Sequence, residues 1–402
     1  MNAGRLDSVP IGRRVAYWRG RRKLSQQLFA DRLGKSKSWV DKVERGVRRL
    51  DKLSTLQEIA AVLRVDPVVL RDPDTQPVEL TERHQGVERI RAALCRYEIP
   101  LGRPAGRRPV LPADRMARQV GYAWTAFQHA RYAQLADLLP DLLTDVQRTH
   151  AHQPGPGRVP LVEAYRITAG LLVKLGAADV AWLAADRAML AATGDRSLVA
   201  AAAVQLGQVL RAAGRAREAQ SLLRAAAYRI APSVIEYGTP PELSLCGTLL
   251  VQAALAAASH EGDSATAELI DEAAGMAERV GDGHDHYRTG FGPTAVDLAR
   301  TAVAVESGDA RAAIGWHGKA TGRAGWRWLP AEHRAAHLLD TACAYLHTDD
   351  PTNAAHVLLE AERTAPSEIR YRPAAWDLLG QLARDPYAPT TITRLATTLG
   401  VG

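Results

Sequence analysis

The stretch that decides the fold is LSQQLFADRLGKSKSWVDKVERG, residues 24–46. Its first half predicts a short helix, because Ser25 can accept hydrogen bonds from free N–H groups of an opening turn. Gly34 can adopt the left-handed conformation that ends a helix. Between these two positions, three apolar residues recur at helical spacing and predict a buried stripe: Leu28, Phe29 and Leu33.

The second half predicts another short helix, which Ser36 can cap and Gly46 can end. Its expected inward face consists of Trp39, Val40 and Val43. The residues expected to point elsewhere are Lys37, Ser38, Asp41, Lys42 and Arg45. Two amphipathic helices of this size, joined by so tight a turn, are typical of a helix-turn-helix.

These residues resemble the family of lambda-repressor-like, or xenobiotic-response-element, DNA-binding domains. The matching pattern is S-Q-x-x-F/L-A-x-x-L-G in residues 25–34, S-x-x-x-V at Ser36 and Val40, and V-E-R-G in residues 43–46. The resemblance covers residues 11–70. It implies a compact bundle of about five helices, whose second motif helix lies in the major groove of DNA.

The resemblance also implies which residues contact DNA. Gln26 falls at a contact to phosphate and to a base edge, and Lys37, Ser38 and Lys42 would face base edges or the adjacent backbone. The full set of expected contact residues is Gln26, Lys35, Ser36, Lys37, Ser38, Trp39, Asp41, Lys42 and Arg45.

Two further positions carry structural expectations from the same resemblance. Arg19 falls where the family commonly places the partner of Glu44, so these two residues are expected to form an ion pair. Trp39 is bulkier than the family usually carries. It can touch a thymine methyl, but we prefer a structural role on the flank of the bundle.

Charge is distributed unevenly along the chain. Residues 1–80 carry 17 Lys and Arg against 10 Asp and Glu, whereas the remaining residues carry 34 of each. A surplus of cations around a helix-turn-helix is the expected electrostatic signature of a domain that binds polyphosphate. The basic residues that flank the motif are the run RGRRK at residues 19–23, Lys35, Lys37, Lys42, Arg45, Arg48 and Arg49. As a group they predict phosphate contacts, which set position and salt-dependent affinity.

Length and composition set the remaining bounds. The 402 residues exceed what one core usually holds, and an alanine-rich apolar fraction with only 5% aromatic residues favours an all-α fold. Three cysteines lie far apart, which argues against a disulfide framework or a zinc site. The sequence lacks the apolar segment of a signal peptide and any stretch long enough to span a bilayer. We therefore expect a soluble, cytoplasmic protein without a metal or cofactor.

After residue 112 the sequence repeats a form in which an alanine-rich helix reaches a short polar turn and a second helix follows. The turns begin at Gly176, Gly214, Gly262, Gly308 and Asp349, with a less regular one at His129. Helix pairs that recur in this way indicate an α-solenoid of roughly five to seven helix pairs. The predicted domains are a helix-turn-helix domain at 1–71, a linker with a helix and a Pro-rich loop at 72–112, and the repeats at 113–402.

One repeat unit resembles a tetratricopeptide repeat (TPR). Its matching first-helix residues are Leu206, Gly207 and Leu210, and its second-helix residues are Ala219, Leu223 and Ala226. The usual tryptophan is replaced by Ala203. As a whole, the arrangement resembles actinobacterial regulators with an N-terminal helix-turn-helix and a C-terminal TPR-like region. That resemblance implies transcription regulation, often with an unknown signal. Because one domain of this size contacts only a few base pairs, we expect a homodimer on double-stranded DNA, with a small-molecule, peptide or protein effector.

Other chemistry is weakly supported. The loop GHDHY places His284 and His286 two residues apart, but an inter-repeat loop offers no rigid frame for a metal. No catalytic motif stands out, so an enzyme is not expected. The densest aromatic group is Tyr287, Phe291, Trp316, Trp326 and Trp328. These residues either line a ligand pocket on the concave face of the solenoid or fill gaps between repeats.

Two functional hypotheses remain open on these grounds. The first is a sequence-specific DNA-binding regulator whose repeats dimerise and sense an effector. The second is a protein-interaction scaffold in which the helix-turn-helix is a folded appendage that does not read DNA.

Overall fold

The computed structural model describes residues 11–48, 50, 53–65, 70, 78–97, 101, 109–258, 263–386 and 388–401. Within these residues the chain is all-helical and has no β-strand, which confirms the predicted all-α class. None of the described helices is long and apolar enough to cross a membrane.

The chain divides into two compact units. Unit 1 comprises the described residues up to Thr81 together with Thr398–Val401, and unit 2 comprises Glu82–Thr397. The domain boundaries that we predicted at residues 71 and 112 stay a prediction.

Unit 1 contains the four helices α1 (Ile11–Arg21), α2 (Gln26–Arg32), α3 (Lys37–Glu44) and α4 (Leu53–Leu63) in its described part. The resemblance implies about five helices over residues 11–70, and residues 66–69 of this range lie outside the described residues. The core collects fully buried apolar residues from each of these helices, among them Val15, Phe29, Val40, Val43, Ile59 and Leu63.

A glycine brings α1 close to the end of α3. A Cβ atom at Gly12 would lie 2.1 Å from the carbonyl oxygen of Val43 and 3.0 Å from that of Glu44. Only a residue without a side chain permits this approach, so Gly12 sets the distance between the two helices.

Sixteen further helices follow in the described part of the chain. Their bounds are α5 (Val78–Leu94), α6 (Ala113–Gln128), α7 (Tyr132–His152), α8 (Pro154–Lys174), α9 (Ala178–Ala192), α10 (Arg196–Ala212), α11 (Ala216–Ile230), α12 (Pro240–Ala257), α13 (Asp263–Val280), α14 (Pro293–Glu306), α15 (Ala310–Gly322), α16 (Ala331–His347), α17 (Pro351–Thr364), α18 (Pro366–Arg370), α19 (Pro373–Leu382) and α20 (Thr390–Thr398).

Helices α6–α17 form successive pairs joined by short turns. This confirms that a helical-repeat region follows the helix-turn-helix along the chain. Left-handed residues make these turns, because they reverse the chain directly after a helix. The turn residues with positive φ are Ala130, Gly176, Gly214, Gly308 and Asp349. The predicted turn at Gly262 lies outside the described residues.

Small residues let the two helices of a pair approach. A Cβ atom at Gly207 in α10 would lie 2.6 Å from the side chain of Leu223 in α11. Leu223 is fully buried, as is Ala219 one turn earlier. The close contact between these helices therefore depends on the glycine that the repeat pattern singled out.

The last helices of unit 2 return to the first ones. The ammonium of Lys174, at the end of α8, forms ion pairs with Glu332 of α16 and, at 3.0 Å, with Glu368 of α18. The hydroxyl of Tyr371 donates to Glu82 of α5 at 2.6 Å. These contacts join the first and last helices of the repeat region, whose inner face lines a cavity.

Candidate nucleic-acid interface and ligand cavity

The helix-turn-helix forms as its capping residues predict. Ser25 Oγ accepts from the backbone N–H of Leu28, and Ser36 Oγ accepts from that of Trp39, both at 3.1 Å. Gly34 adopts φ 62°, and the next N–H, of Lys35, donates to the carbonyl of Ala30 at 3.0 Å. This hydrogen bond completes a Schellman-type ending of α2, which fixes the direction in which α3 begins.

The outer face of α3 is polar and cationic. Val40 and Val43 are buried, while Lys37, Ser38, Lys42 and Arg45 are exposed and Asp41 is half-buried. The carboxylate of Asp41 pairs with Arg45 at 3.2 Å along the same face. Lys35 and Ser36, just before the helix, are also exposed. This surface has the size and charge that a major-groove helix requires.

One buried carboxylate connects α1 with the two helices of the motif, α2 and α3. The Nε of Arg19 in α1 donates to Glu44 in α3 at 2.5 Å, and a second guanidinium nitrogen donates at 3.1 Å. The same guanidinium donates to the carbonyl of Leu24 at 2.7 Å. Gln26 in α2 donates its amide to Glu44 at 2.8 Å. Glu44 therefore fixes the orientation of the Gln26 side chain.

The basic run at residues 19–23 serves the fold as well as the surface. Arg22 donates to the carbonyls of Leu63 and Arg64, both at 2.9 Å, and so satisfies free acceptors at the end of α4. Arg21 donates to Tyr17 at 3.0 Å. Arg19 and Arg22 thus hold structural positions, which differs from the phosphate contacts that we expected of the whole run. Arg49 lies outside the described residues.

Two apolar residues of the motif, Trp39 and Leu28, differ in how they contact the core. Trp39 packs against the core of unit 1 from its side, and the guanidinium of Arg48 lies 5.9 Å from its ring centroid. Leu28, which we expected to be buried, is 42% exposed. The prediction for Leu28 was wrong because Phe29, Ala30 and Leu33 form the inward stripe of α2, and Leu28 lies about 100° away from it.

The cavity inside unit 2 has a volume of about 750 Å³ and is lined mainly by the first helix of each pair. Its apolar wall includes Val173, Val204, Val251, Leu255, Phe291 and Leu298. Its polar residues include Gln252, Arg211, His337 and Asp340. A volume of this size suits a drug-sized ligand.

Five buried or half-buried residues form what we call the closure cluster: Tyr132, Lys174, Glu332, Glu368 and Arg372. Tyr132 donates to Glu368, and Arg372 pairs with the same carboxylate at 3.1 Å. Burial alone lowers the pKa of Lys174, but the carboxylates of Glu332 and Glu368 outweigh burial and raise it. Burial and the neighbouring Glu368 raise the pKa of Tyr132 well above its usual value. These surroundings therefore favour the charged ammonium of Lys174 and the neutral phenol of Tyr132.

The five aromatic residues predicted as a group do not form one. Of the five, only Phe291 lines the cavity, where it fills the space above Gly247 in α12. Trp316 lies between Arg300 and Lys319, with their charged groups 4.7 and 4.6 Å from its ring. Trp326 packs edge-on against His337, and Trp328 is 62% exposed. Tyr287 is half-buried, and its carbonyl accepts from Arg166. The five aromatic residues are separated because they belong to turns and helices of different helix pairs.

The two histidines of the GHDHY loop contact each other, and a second histidine pair lies elsewhere in unit 2. His284 and His286 stack with centroids 5.6 Å apart, whereas His317 contacts His337 through ring nitrogens 3.0 Å apart. In the described part of the chain, no group of three or more His, Cys, Asp or Glu is placed to hold a metal ion.

Sequence reasoning missed the polar residues of the cavity. Arg211, Gln252 and Asp340 come from three different helix pairs, so no local motif links them. A usable signal exists in hindsight, because each interrupts an otherwise apolar stretch on the first helix of a pair.

Comparisons with known proteins agree with the geometry of unit 1. Residues 10–72 match the family model of a helix-turn-helix domain. The chain therefore contains such a domain at its N-terminal end. No curated protein matches the chain. Among solved structures, the chain is similar to Bacillus thuringiensis PlcR in complex with the peptide PapR7 and DNA, at 12% identity, with a TM-score of 0.29, over 67% of this chain and 95% of that one. A TM-score this low does not establish a shared fold.

Proposed function

We propose that the protein is a sequence-specific DNA-binding transcriptional regulator of the lambda-repressor-like class. The observation that supports this proposal best is the exposed cationic face of α3, presented by a helix-turn-helix domain whose caps and turn are in place. In this proposal α3 enters the major groove of a double-stranded operator.

Each residue of this surface has a proposed role. Lys37, Ser38, Asp41 and Lys42 face base edges or the adjacent backbone, and Lys35, Ser36 and Arg45 contact phosphates at the groove edges. Gln26, oriented by Glu44, contacts phosphate and a base edge. Trp39 supports the helix from its flank, because it packs on the core rather than projecting from it.

The regulator acts as a homodimer in this proposal. One small domain contacts only a few base pairs, so two copies on a palindrome, about one or two helical turns apart, are needed for selective binding. Sedimentation of the full chain should give a dimer on operator DNA. A monomer both free and bound to DNA would contradict this part of the proposal.

The TPR-like region, residues 113–402, provides dimerisation and senses an effector. The cavity of about 750 Å³ supports sensing, because a space lined by six helix pairs changes shape when any pair moves. Binding of an effector there would shift the equilibrium between forms with different affinity for DNA.

The test is a comparison of two sets of substitutions in the full chain. Lys37→Ala, Ser38→Ala and Lys42→Ala together should reduce the preference for operator over random duplex by roughly 100-fold or more, because base-edge contacts supply selectivity. The charge-matched control, Arg13→Ala with Arg32→Ala, also removes two exposed cations from unit 1. It should lower affinity for both duplexes but keep their ratio.

The alternative is an interaction scaffold whose helix-turn-helix does not read DNA. It predicts that the triple variant binds operator and random duplex as the natural protein does. Operators for this measurement come from genome-wide binding of the tagged protein, and the absence of any preferred site there favours the scaffold.

A further inference from the structure

The loop between α13 and α14, residues 281–292, contacts helix pairs that are far from its own, and we call it the strap. The carbonyl of Tyr287 accepts from the Nη2 of Arg166 in α8 at 3.0 Å. The carboxylate of Asp285 accepts from the side-chain amide of Gln128 in α6 at 2.9 Å. These two hydrogen bonds span 121 and 157 residues of the sequence. The strap therefore links the fourth and fifth helix pairs to the first and second pairs, which are not their neighbours along the repeats.

Both ends of the strap are anchored on its own side of the cavity. At one end, Asp282 accepts from the backbone N–H and from the hydroxyl of Thr294, at 3.0 and 2.7 Å. At the other end, the buried ring of Phe291 occupies the space that Gly247 of α12 leaves, where a Cβ atom would lie 2.1 Å from the ring. The middle of the strap is therefore the part that bridges to α6 and α8.

This middle segment, residues 284–289, has a strained backbone. Tyr287 and Arg288 follow each other and are both left-handed, with φ of 52° and 61°. The Cβ atom of an L-residue is crowded in this conformation, which persists only where surrounding contacts hold it. Gly283 and Gly290 flank the segment with φ of 89° and 56°. Release from α6 and α8 would relieve the strain, and the two glycines can act as hinges.

Arg166 holds the strap without depending on it. This buried guanidinium donates through Nε to Gln205 in α10 at 2.8 Å and through Nη1 to Glu163 at 2.6 Å. The indole of Trp124 in α6 donates to the other oxygen of Glu163 at 2.7 Å. These three partners of the network lie on helices, whereas Tyr287 lies in the loop. The strap can therefore detach while the remaining network stays in place.

We propose that the strap is a releasable brace between non-neighbouring helix pairs, with a bound form on Arg166 and Gln128 and a free form. Arg288, Thr289 and Phe291 line the cavity, so a ligand in the cavity would contact the strap directly. Each repeat contacts mainly its neighbours, so small movements at successive interfaces add up along the chain. A brace between distant pairs limits this sum, and its release lets those pairs move apart. This inference rests on the sensing role proposed above and names its moving part.

Hydrogen exchange of the full chain, without DNA or an effector, measures release through the N–H groups of residues 288–290, which are hydrogen-bonded within the strap. Arg166→Lys should lower their protection factors about tenfold, because an ammonium keeps the charge but lacks the planar fork that serves three acceptors. Gln128→Ala should lower them about threefold, since it removes one hydrogen bond at the surface. The matched control, Gln134→Ala, removes a surface amide that donates to Tyr122 within the first helix pair and should change nothing in the strap.

Two substitutions at one position isolate the backbone strain. Arg288→Gly and Arg288→Ala both remove the guanidinium and its exposed pair with Asp285, but only glycine adopts a positive φ without strain. The protection factors of the strap should be at least about threefold higher in the glycine variant than in the alanine variant. Equal protection would overturn the claim that strain favours release.

Distances between spin labels test whether release lets the pairs move apart. The labels are attached at Ala133→Cys in α7 and Glu278→Cys in α13, both exposed, in a chain with Cys95→Ser and Cys343→Ser. Adding Arg166→Lys to this chain should lengthen the mean distance or broaden its distribution. An unchanged distribution, once hydrogen exchange has shown release, would overturn the bracing role.

Two results of the exchange experiment would overturn the proposal as a whole. One is unchanged protection of the strap in both Arg166→Lys and Gln128→Ala. The other is exchange of the strap only together with global unfolding, which native-state exchange in increasing urea distinguishes. Circular dichroism checks that each variant is folded, and Gln128→Ala, at the surface, keeps the test decisive if Arg166→Lys does not fold.

The outcome is separable from the proposal on DNA. The exchange and distance measurements contain no DNA, so they establish or overturn the brace even if the protein does not select an operator. Arg288→Gly and Arg288→Ala should also differ in operator affinity, and equal affinity would contradict a regulatory role while leaving operator selection by α3 intact.

Discussion

At the scale of single residues, Asp340 shows how a half-buried carboxylate in the cavity wall affects stability. Its raised pKa means that the folded protein holds a proton more tightly there than the unfolded chain does. Between about pH 4 and pH 6 the folded state therefore binds more protons, and its stability decreases as the pH rises through this window.

Asp340→Asn should remove the loss of stability that the ionised carboxylate of Asp340 causes. At pH 7 we expect the variant to be more stable than the natural protein by about 1–2 kcal/mol, since the shift is partly screened by solvent. The difference should vanish as the pH falls from 6 to 4, where Asp340 becomes protonated. Urea unfolding followed by circular dichroism at several pH values measures it. Glu360→Gln, which removes an exposed carboxylate on α17, should change stability by less than about 0.5 kcal/mol, and a less stable Asp340→Asn variant at pH 7 would show that the carboxylate has a partner.

At the scale of elements, the surface that we propose to bind DNA depends on how α1 holds α3. Gly12 in α1 touches the carbonyl of Val43, and Arg19, two turns later, binds Glu44. Both contacts act on the last turn of α3, so they set the angle at which its outer face is presented. A change in either is expected to alter DNA binding without replacing any of the residues that we propose to contact DNA.

Gly12→Ala tests this contact. The added methyl group cannot fit at 2.1 Å from a carbonyl oxygen, so the helices must separate, which should destabilise unit 1 by about 1–3 kcal/mol. Gly20→Ala in the same helix has nothing within 4 Å and should be neutral or stabilising by up to about 1 kcal/mol. Thermal unfolding and operator affinity of both variants provide the measurement; equal stability of the two would mean that α1 and α3 are not in close contact.

At the scale of the whole molecule, the closure cluster joins the last helices of the repeat region to its first ones, beside the cavity. Glu368 is fully buried and accepts from Tyr132, Lys174 and Arg372, which come from α7, α8 and the α18–α19 connection. Two members of the cluster, Lys174 and Arg372, also act electrostatically on Asp340 in the cavity wall.

Lys174→Met should weaken this closure. It leaves Glu332 and Glu368 buried with less positive charge, and breaking a buried ion pair typically costs about 3–5 kcal/mol. Arg118→Met, which breaks an exposed pair with Asp114, should cost less than about 1 kcal/mol. Differential scanning calorimetry and the radius of gyration from X-ray scattering report stability and opening. Similar unfolding midpoints for the two variants would contradict a role for the cluster in closure.

The sequence alone determined the features that depend on neighbours along the chain. Ser25, Gly34 and Ser36 act within one helical turn, so the bounds of α2 and α3 could be predicted from residue type and spacing. The same holds for the turns at Gly176, Gly214 and Gly308, where a glycine follows a helix of known period. The cationic face of α3 follows once the inward residues Val40 and Val43 are known.

Only the tertiary structure decided which distant residues meet. Nothing in the order of the residues predicts that Arg22 satisfies the end of α4, or that Lys174 meets Glu368. Leu28 was predicted wrongly for a related reason. The four apolar residues in and directly after α2, namely Leu28, Phe29, Ala30 and Leu33, form two overlapping stripes, and packing against the rest of the core determines which stripe is buried. Such contacts depend on how helices pack in three dimensions, and small differences in crossing angle accumulate over many helix pairs before the ends of the repeat region meet.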